Sequence, residues 1–268
     1  MDLETCSKIL KIIARKRPLL LSIVPILPSV FLLENYISSK VAVNLVFHTP
    51  TLEELLISFL LAGWVLFVSL FLTKKTYEMF VARGCAHNVA VYYNRKIIHM
   101  LTGGLVAILV PFLYKSFIPI GIMVIFLAIG NYLPHKMNKL FYWYQVKENA
   151  YEVHFIIMWG LVMMVGFLID NVWVAVIPIL FMSFGDGVTG IVRNLLYGKR
   201  TKSWWGNLAM FAVCAPMAFA VFSYAGLISA TLASIVEKFE FGLIDDNVTV
   251  PLVGFVSLLL FTGPIKIT

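Results

Sequence analysis

Nine apolar stretches, each bounded by charged or turn-forming residues, limit what this chain can become. They cover 18–34, 54–72, 97–114, 117–133, 153–169, 172–184, 206–225, 227–236 and 249–264. A helix needs about 20 apolar residues to cross the hydrocarbon of a bilayer. The 268 residues therefore hold about nine such helices and leave no room for a large soluble domain. The sixth and eighth stretches are short for a bilayer, which predicts broken or partly re-entrant helices. Composition agrees: 60% of residues are hydrophobic and 13% charged, where soluble domains carry about 45–50% and about 25%. Burial on folding saturates near about three quarters of the surface, so a soluble chain could not hide this surplus. Soluble enzymes and disordered segments are excluded. Cys6, Cys85 and Cys214 are isolated, which argues against a disulfide framework or a zinc site. The expected fold is an all-α polytopic membrane protein, a single integral membrane domain over 1–268.

The distribution of charge orients the spans. With a cytoplasmic N-terminus and strict alternation, 18 of the 21 Lys and Arg residues fall in cytoplasmic segments. Only Lys40, Lys115 and Lys266 fall outside. Positive charge collects on the cytoplasmic side of membrane proteins, so the +7 net charge reads as loops beside anionic headgroups rather than nucleic-acid binding. The first apolar run follows a basic segment, as in a signal peptide, but it contains Pro25 and Pro28 and no small-x-small cleavage site. It reads as a retained helix. The stretch 134–151 mixes Lys136, Lys139 and Lys147 with Tyr142, Trp143 and Tyr144, the composition of an interfacial anchor.

The scarce polar residues gather at the cytoplasmic helix ends in three clusters. The densest is 183–207. Its Gly185, Gly187 and Gly190 complete a G-x-G-x-x-G, but a membrane helix precedes it where a dinucleotide site needs a strand. No P-loop is present. Asp186 sits at the end of a span, where an acid is costly and usually functional. If 187–197 is helical, Asp186, Gly190, Arg193 and Tyr197 share a face. A carboxylate beside a guanidinium can hold a divalent cation and a phosphate together. Lys199, Arg200, Lys202 and Ser203 follow Gly198 and add cations and a hydroxyl. A basic loop with an Asp cap is the plain structural alternative. The second cluster is Arg95, Lys96 and His99, one turn apart as the chain enters a span, with Gly103 on the same face. Membrane anchoring and a structural histidine are the plain readings there. The third is Glu237 with Asp245, Asp246 and Asn247, acids against the basic trend that read as a solvated loop or as oxygen ligands for Mg²⁺. Asn247-Val248-Thr249 forms a glycosylation sequon that this orientation places inside. His87, His135 and His154 have no partner at metal-ligand spacing and receive no role.

Taken in order, these clusters resemble the CTP-dependent polyprenol kinase family of dolichol, phytol and diacylglycerol kinases. The resemblance rests on Arg95, Lys96, His99 and Gly103, then Gly185-Asp186 through Gly198-Lys199, then Lys202-Ser203, Gly206 and Phe211, then Glu237, Asp246, Asn247 and Pro251. It spans 95–251. Thr189 and Arg193-Asn194 depart from the family pattern, and residues 1–94 carry none of its motifs. They read as motif-free N-terminal helices before a catalytic core over 95–268.

The resemblance implies transfer of the γ-phosphoryl of CTP to the hydroxyl of a membrane-embedded long-chain alcohol, with dolichol first and phytol or geranylgeraniol next. The active site is expected at the cytoplasmic membrane interface. Asp186 would bind Mg²⁺, with Glu237 or Asp246 completing the metal site. Lys202, Arg193 and Lys199 would offset phosphate charge, with Arg95 and Lys96 nearby. The Gly185, Gly187, Gly190, Gly198, Ser203, Gly206 and Asn247 positions would surround the nucleotide. His99 would orient or deprotonate the acceptor. A CDP-lipid synthase shares CTP and Mg²⁺, and a small ion-coupled transporter is the alternative of a different class. The short chain suggests a prokaryotic cell membrane rather than the endoplasmic reticulum.

Overall fold

The computed structural model describes residues 48–197, 201–239 and 244–262. The first expected span, 18–34, and the site candidates Gly198 and Lys199 lie outside these residues. Every regular element among those described is helical: α1 Leu52–Ala82, α2 His87–Leu113, α3 Ile118–Lys136, α4 Tyr151–Leu168, α5 Val172–Tyr197, α6 Trp204–Val236 and α7 Asp246–Phe261. Helices satisfy their own backbone groups, the requirement that hydrocarbon imposes. The first six are long and apolar enough to cross a membrane.

Several ends differ from the apolar stretches, and each difference has a cause. The polar segment 73–96 is not a loop. It extends α1 and α2 as helix around a turn at Gly84, whose φ of 85° caps α1. Asn138 and Asp170, at φ 53°, close α3 and α4 in the same way. These residues tolerate left-handed backbone better than most. The sixth span does not stop at Phe184 either. α5 runs through Asp186 to Tyr197, because buried ion pairs replace apolar packing along its last three turns.

α6 is two antiparallel arms. A straight 33-residue helix would separate Asn207 from Ser234 by about 40 Å, yet Asn207 Nδ2 donates to Ser234 O at 2.6 Å. The reversal is at Ser223, φ 51° and ψ −131°, the geometry of the first central residue of a type II′ turn. Gly226 crosses Ala218 so closely that a Cβ there would meet the Ala218 carbonyl oxygen. Small residues let helices approach to this degree. Ser223 bears a conformation that glycine adopts freely. Ser223→Gly is expected to stabilise the protein by about 1 kcal/mol net, raising Tm in detergent by about 2–4 °C. A lowered Tm would show that the serine side chain holds the turn.

α5 is the central helix. In its most apolar window 83% of residues are buried, against 17–44% for the other long helices, and Val174 through Leu180 are all buried. Apolar residues on α1 and α3, including Phe59, Phe71, Ile122 and Ile125, face outward. At one end of the bundle, Glu54 completes a capping box with Thr51 and accepts from the Lys115 and Ser116 amides at 2.6 and 3.0 Å. That anchors the α2–α3 turn and explains a buried acid in an apolar helix. The candidate site lies at the opposite end.

Candidate active site

Two of the three π-helical turns among the described residues flank the site. One begins at His99 in α2, and the other, Phe181–Gly185 in α5, ends just before Asp186. Pro178 withholds one backbone donor just upstream, and wide turns of this kind occur often at functional sites. They bring α2 and α5 into contact. Lys96 Nζ bonds Asp186 Oδ2 at 2.5 Å, and His99 Nδ1 lies 3.4 Å from the same oxygen without hydrogen-bond geometry. The three side chains are buried.

One helical turn further, Arg193 extends from α5 into a second network. Its two terminal nitrogens grip Glu237 at 2.8 and 2.7 Å. Its Nη2 also donates to Asn207 Oδ1 at 2.9 Å, and its Nε to Ser203 O at 3.1 Å. Asn207 Nδ2 returns a bond to Glu237 Oε2 at 3.1 Å. Lys202 Nζ reaches Glu237 Oε1 at 3.1 Å and Asp246 Oδ2 at 3.0 Å. Burial works against the Lys202 charge, but Asp246 and Glu237 outweigh it and hold the ammonium above its ordinary value. Lys202 is therefore cationic at physiological pH. Lys238 donates to Lys202 O at 2.7 Å and stands over the Trp204 ring.

A third network centres on an acid outside the three sequence clusters. Glu152, at the start of α4, accepts from Arg95 at 2.6 Å, from His135 at 2.5 Å and from Gln145 at 3.0 Å. Arg95 also bonds Asn149 at 3.0 Å.

These networks line one polar cavity of about 670 Å³ that holds Arg95, Lys96, His99, Asp186, Arg193, Lys202, Glu237, Asp246 and Asn247. Residues from all three sequence clusters thus meet in one place. Tyr92, Asn149, Tyr151, Glu152 and Thr201 complete the lining. The glycines pack against neighbouring side chains. A Cβ at Gly190 would strike Tyr92 Oη and one at Gly206 would strike Arg193 Nε, while Gly185 and Gly187 lie against Cys214 and Met100. Ser203 contributes its carbonyl to Arg193, and its hydroxyl makes no hydrogen bond among the described residues. Tyr197 is exposed and does not join the buried face of Asp186 and Arg193. His154 Nδ1 lies 3.5 Å from Asp245 Oδ1 beside the site.

Asp186, Glu237 and Asp246 each present an oxygen within 4.8 Å of the others. Their availability differs. Both Glu237 oxygens are taken by Arg193, whereas no hydrogen bond reaches Oδ1 of Asp186 or of Asp246 among the described residues. Mg²⁺ is usually held by one or two carboxylates plus substrate phosphates. Asp186 and Asp246 fit that requirement, and Glu237 is better placed as the anchor for two cations.

Beneath the polar cavity lies a second one of about 630 Å³, lined by apolar residues such as Val106, Leu127, Phe155 and Trp159. The two cavities share His99 and Glu152. No family model, curated protein or solved structure matches the chain.

Proposed function

We propose that the chain is a membrane lipid kinase that transfers the γ-phosphoryl of CTP to the hydroxyl of a long isoprenoid alcohol, dolichol before phytol or geranylgeraniol. The observation that carries this reading is the junction of the two cavities. A cavity of paired charges adjoins an apolar one, so a water-soluble triphosphate and a bilayer-embedded alcohol have one meeting point. Phosphoryl transfer asks the protein mainly for positioning and for charges around the phosphates. Lys202 and Arg193 supply fixed cations, and Lys96 and Arg95 line the same cavity. His99 orients the acceptor hydroxyl at the junction. Mg²⁺, held by Asp186 and Asp246, would neutralise phosphate charge.

The reading puts the site on the cytoplasmic side of a chain with nine spans. Of the 12 Lys and Arg among the described residues, only Lys115 lies at the end of the bundle remote from the site. That asymmetry is the expected cytoplasmic bias.

Purified protein incubated with a panel of lipid alcohols and either γ-labelled or α-labelled CTP is expected to label lipid only from the γ position. Lipid labelled from the α position would make it a CDP-lipid synthase. No labelled lipid, with solute flux in liposomes, would make it a transporter.

A further inference from the structure

His99 and Glu152 occupy the junction where the acceptor hydroxyl must sit, but their surroundings differ. The His99 ring is stacked on Phe155 with centroids 4.0 Å apart, and its Nδ1 faces Asp186. Glu152 is an acid whose two oxygens are oriented from three directions. Arg95 of α2 holds Oε2, while His135 at the end of α3 and Gln145 of the following loop hold Oε1. Its side chain is only 7% exposed, yet it lines both cavities. An active-site base is recognised first by reach and then by partners that fix its orientation. Glu152 has both.

Resting on the kinase reading, we propose that Glu152 is the general base that accepts the proton of the acceptor alcohol. The alcohol O–H bond breaks and its proton passes to a Glu152 oxygen. The freed electron pair forms the new bond to the γ-phosphorus. The bond from that phosphorus to the β–γ bridging oxygen breaks, and its electrons remain on CDP. The proton then leaves to water through the polar cavity. An aspartate accepts the substrate hydroxyl proton in protein kinases. Arg95, His99, Lys96 and Tyr92 face this carboxylate's cavity from α2, His135 from α3, Tyr144 from the loop, and Tyr151 from α4, with Asp186, Arg193 and Lys202 across it.

The test is the kcat and the KM for CTP of wild type, Glu152→Gln and Glu152→Asp, followed by γ-label transfer to a lipid alcohol. Glu152→Gln is expected to lower kcat by roughly 10²–10⁴-fold and leave the KM for CTP unchanged. Glu152→Asp keeps a carboxylate but withdraws it by one methylene. It is expected to lose roughly 10²-fold in kcat, again with the KM for CTP unchanged. It decides the matter if the amide variant does not fold. A raised KM for CTP with kcat retained would mean that Glu152 only holds Arg95, and would overturn the proposal. So would a wild-type kcat in Glu152→Gln. A wild-type protein that transfers no γ label overturns the kinase reading instead, and this inference with it.

Discussion

On the kinase reading proposed above, Asp186→Asn is expected to abolish lipid phosphorylation, by roughly 10³-fold or more, and to lower thermal stability at the same time. The two losses have different origins. Activity falls because one of the two carboxylate oxygens open to a cation is gone. Stability falls because Lys96, buried against Asp186 at 2.5 Å, is left without its counter-charge. Removing one partner of a buried pair costs about 3–5 kcal/mol. Lys96→Met in the Asp186→Asn background is expected to recover most of the Tm and none of the activity. Γ-label transfer and thermal melts in detergent measure both. Retained turnover in Asp186→Asn would remove the metal role.

Glu237→Gln is expected to destabilise the protein about as much as Asp186→Asn, although Glu237 is the poorest metal ligand of the three acids. Its side chain is 1% exposed and answers two cations, Arg193 in a two-pronged bond and Lys202. An amide turns one acceptor into a donor, so a loss of about 3–5 kcal/mol follows. At a temperature where the variant stays folded, its half-saturating Mg²⁺ concentration should match wild type, whereas Asp246→Asn should raise it. A raised Mg²⁺ requirement in Glu237→Gln would return Glu237 to the metal site.

The membrane character of the chain and most of the polar cavity were legible in the sequence, for reasons visible at particular residues. Asp186, Arg193, Glu237 and Asp246 are costly near hydrocarbon, so their presence in so apolar a chain was itself a signal. Helical spacing then brought Asp186 and Arg193 to one face. Glu152 carried the same signal, an acid at the basic end of a span, but it lay one residue outside an apolar run and was passed over. His135 had no ligand-spaced partner because its partner comes from the next helix. The pairing of Glu237 with Arg193 depends on the reversal at Ser223, which the break between the 206–225 and 227–236 stretches marked to within a few residues. Nothing in local periodicity marks a serine at φ 51°. The glycines misled in another way. The resemblance would set Gly190 and Gly206 around a nucleotide, yet Tyr92 and Arg193 occupy the space beside them.

The reversal at Ser223 also bears on the lipid around the protein. Residues 224–236 make an arm of about 20 Å and the 16 residues of α7 one of about 24 Å, both short of a hydrocarbon core of about 30 Å. On that flank the bilayer has to thin or pucker to meet the helices. A locally thin leaflet would bring headgroups and water toward buried hydroxyls, so on the kinase reading turnover is expected to depend on acyl-chain length and run fastest in short-chain lipid.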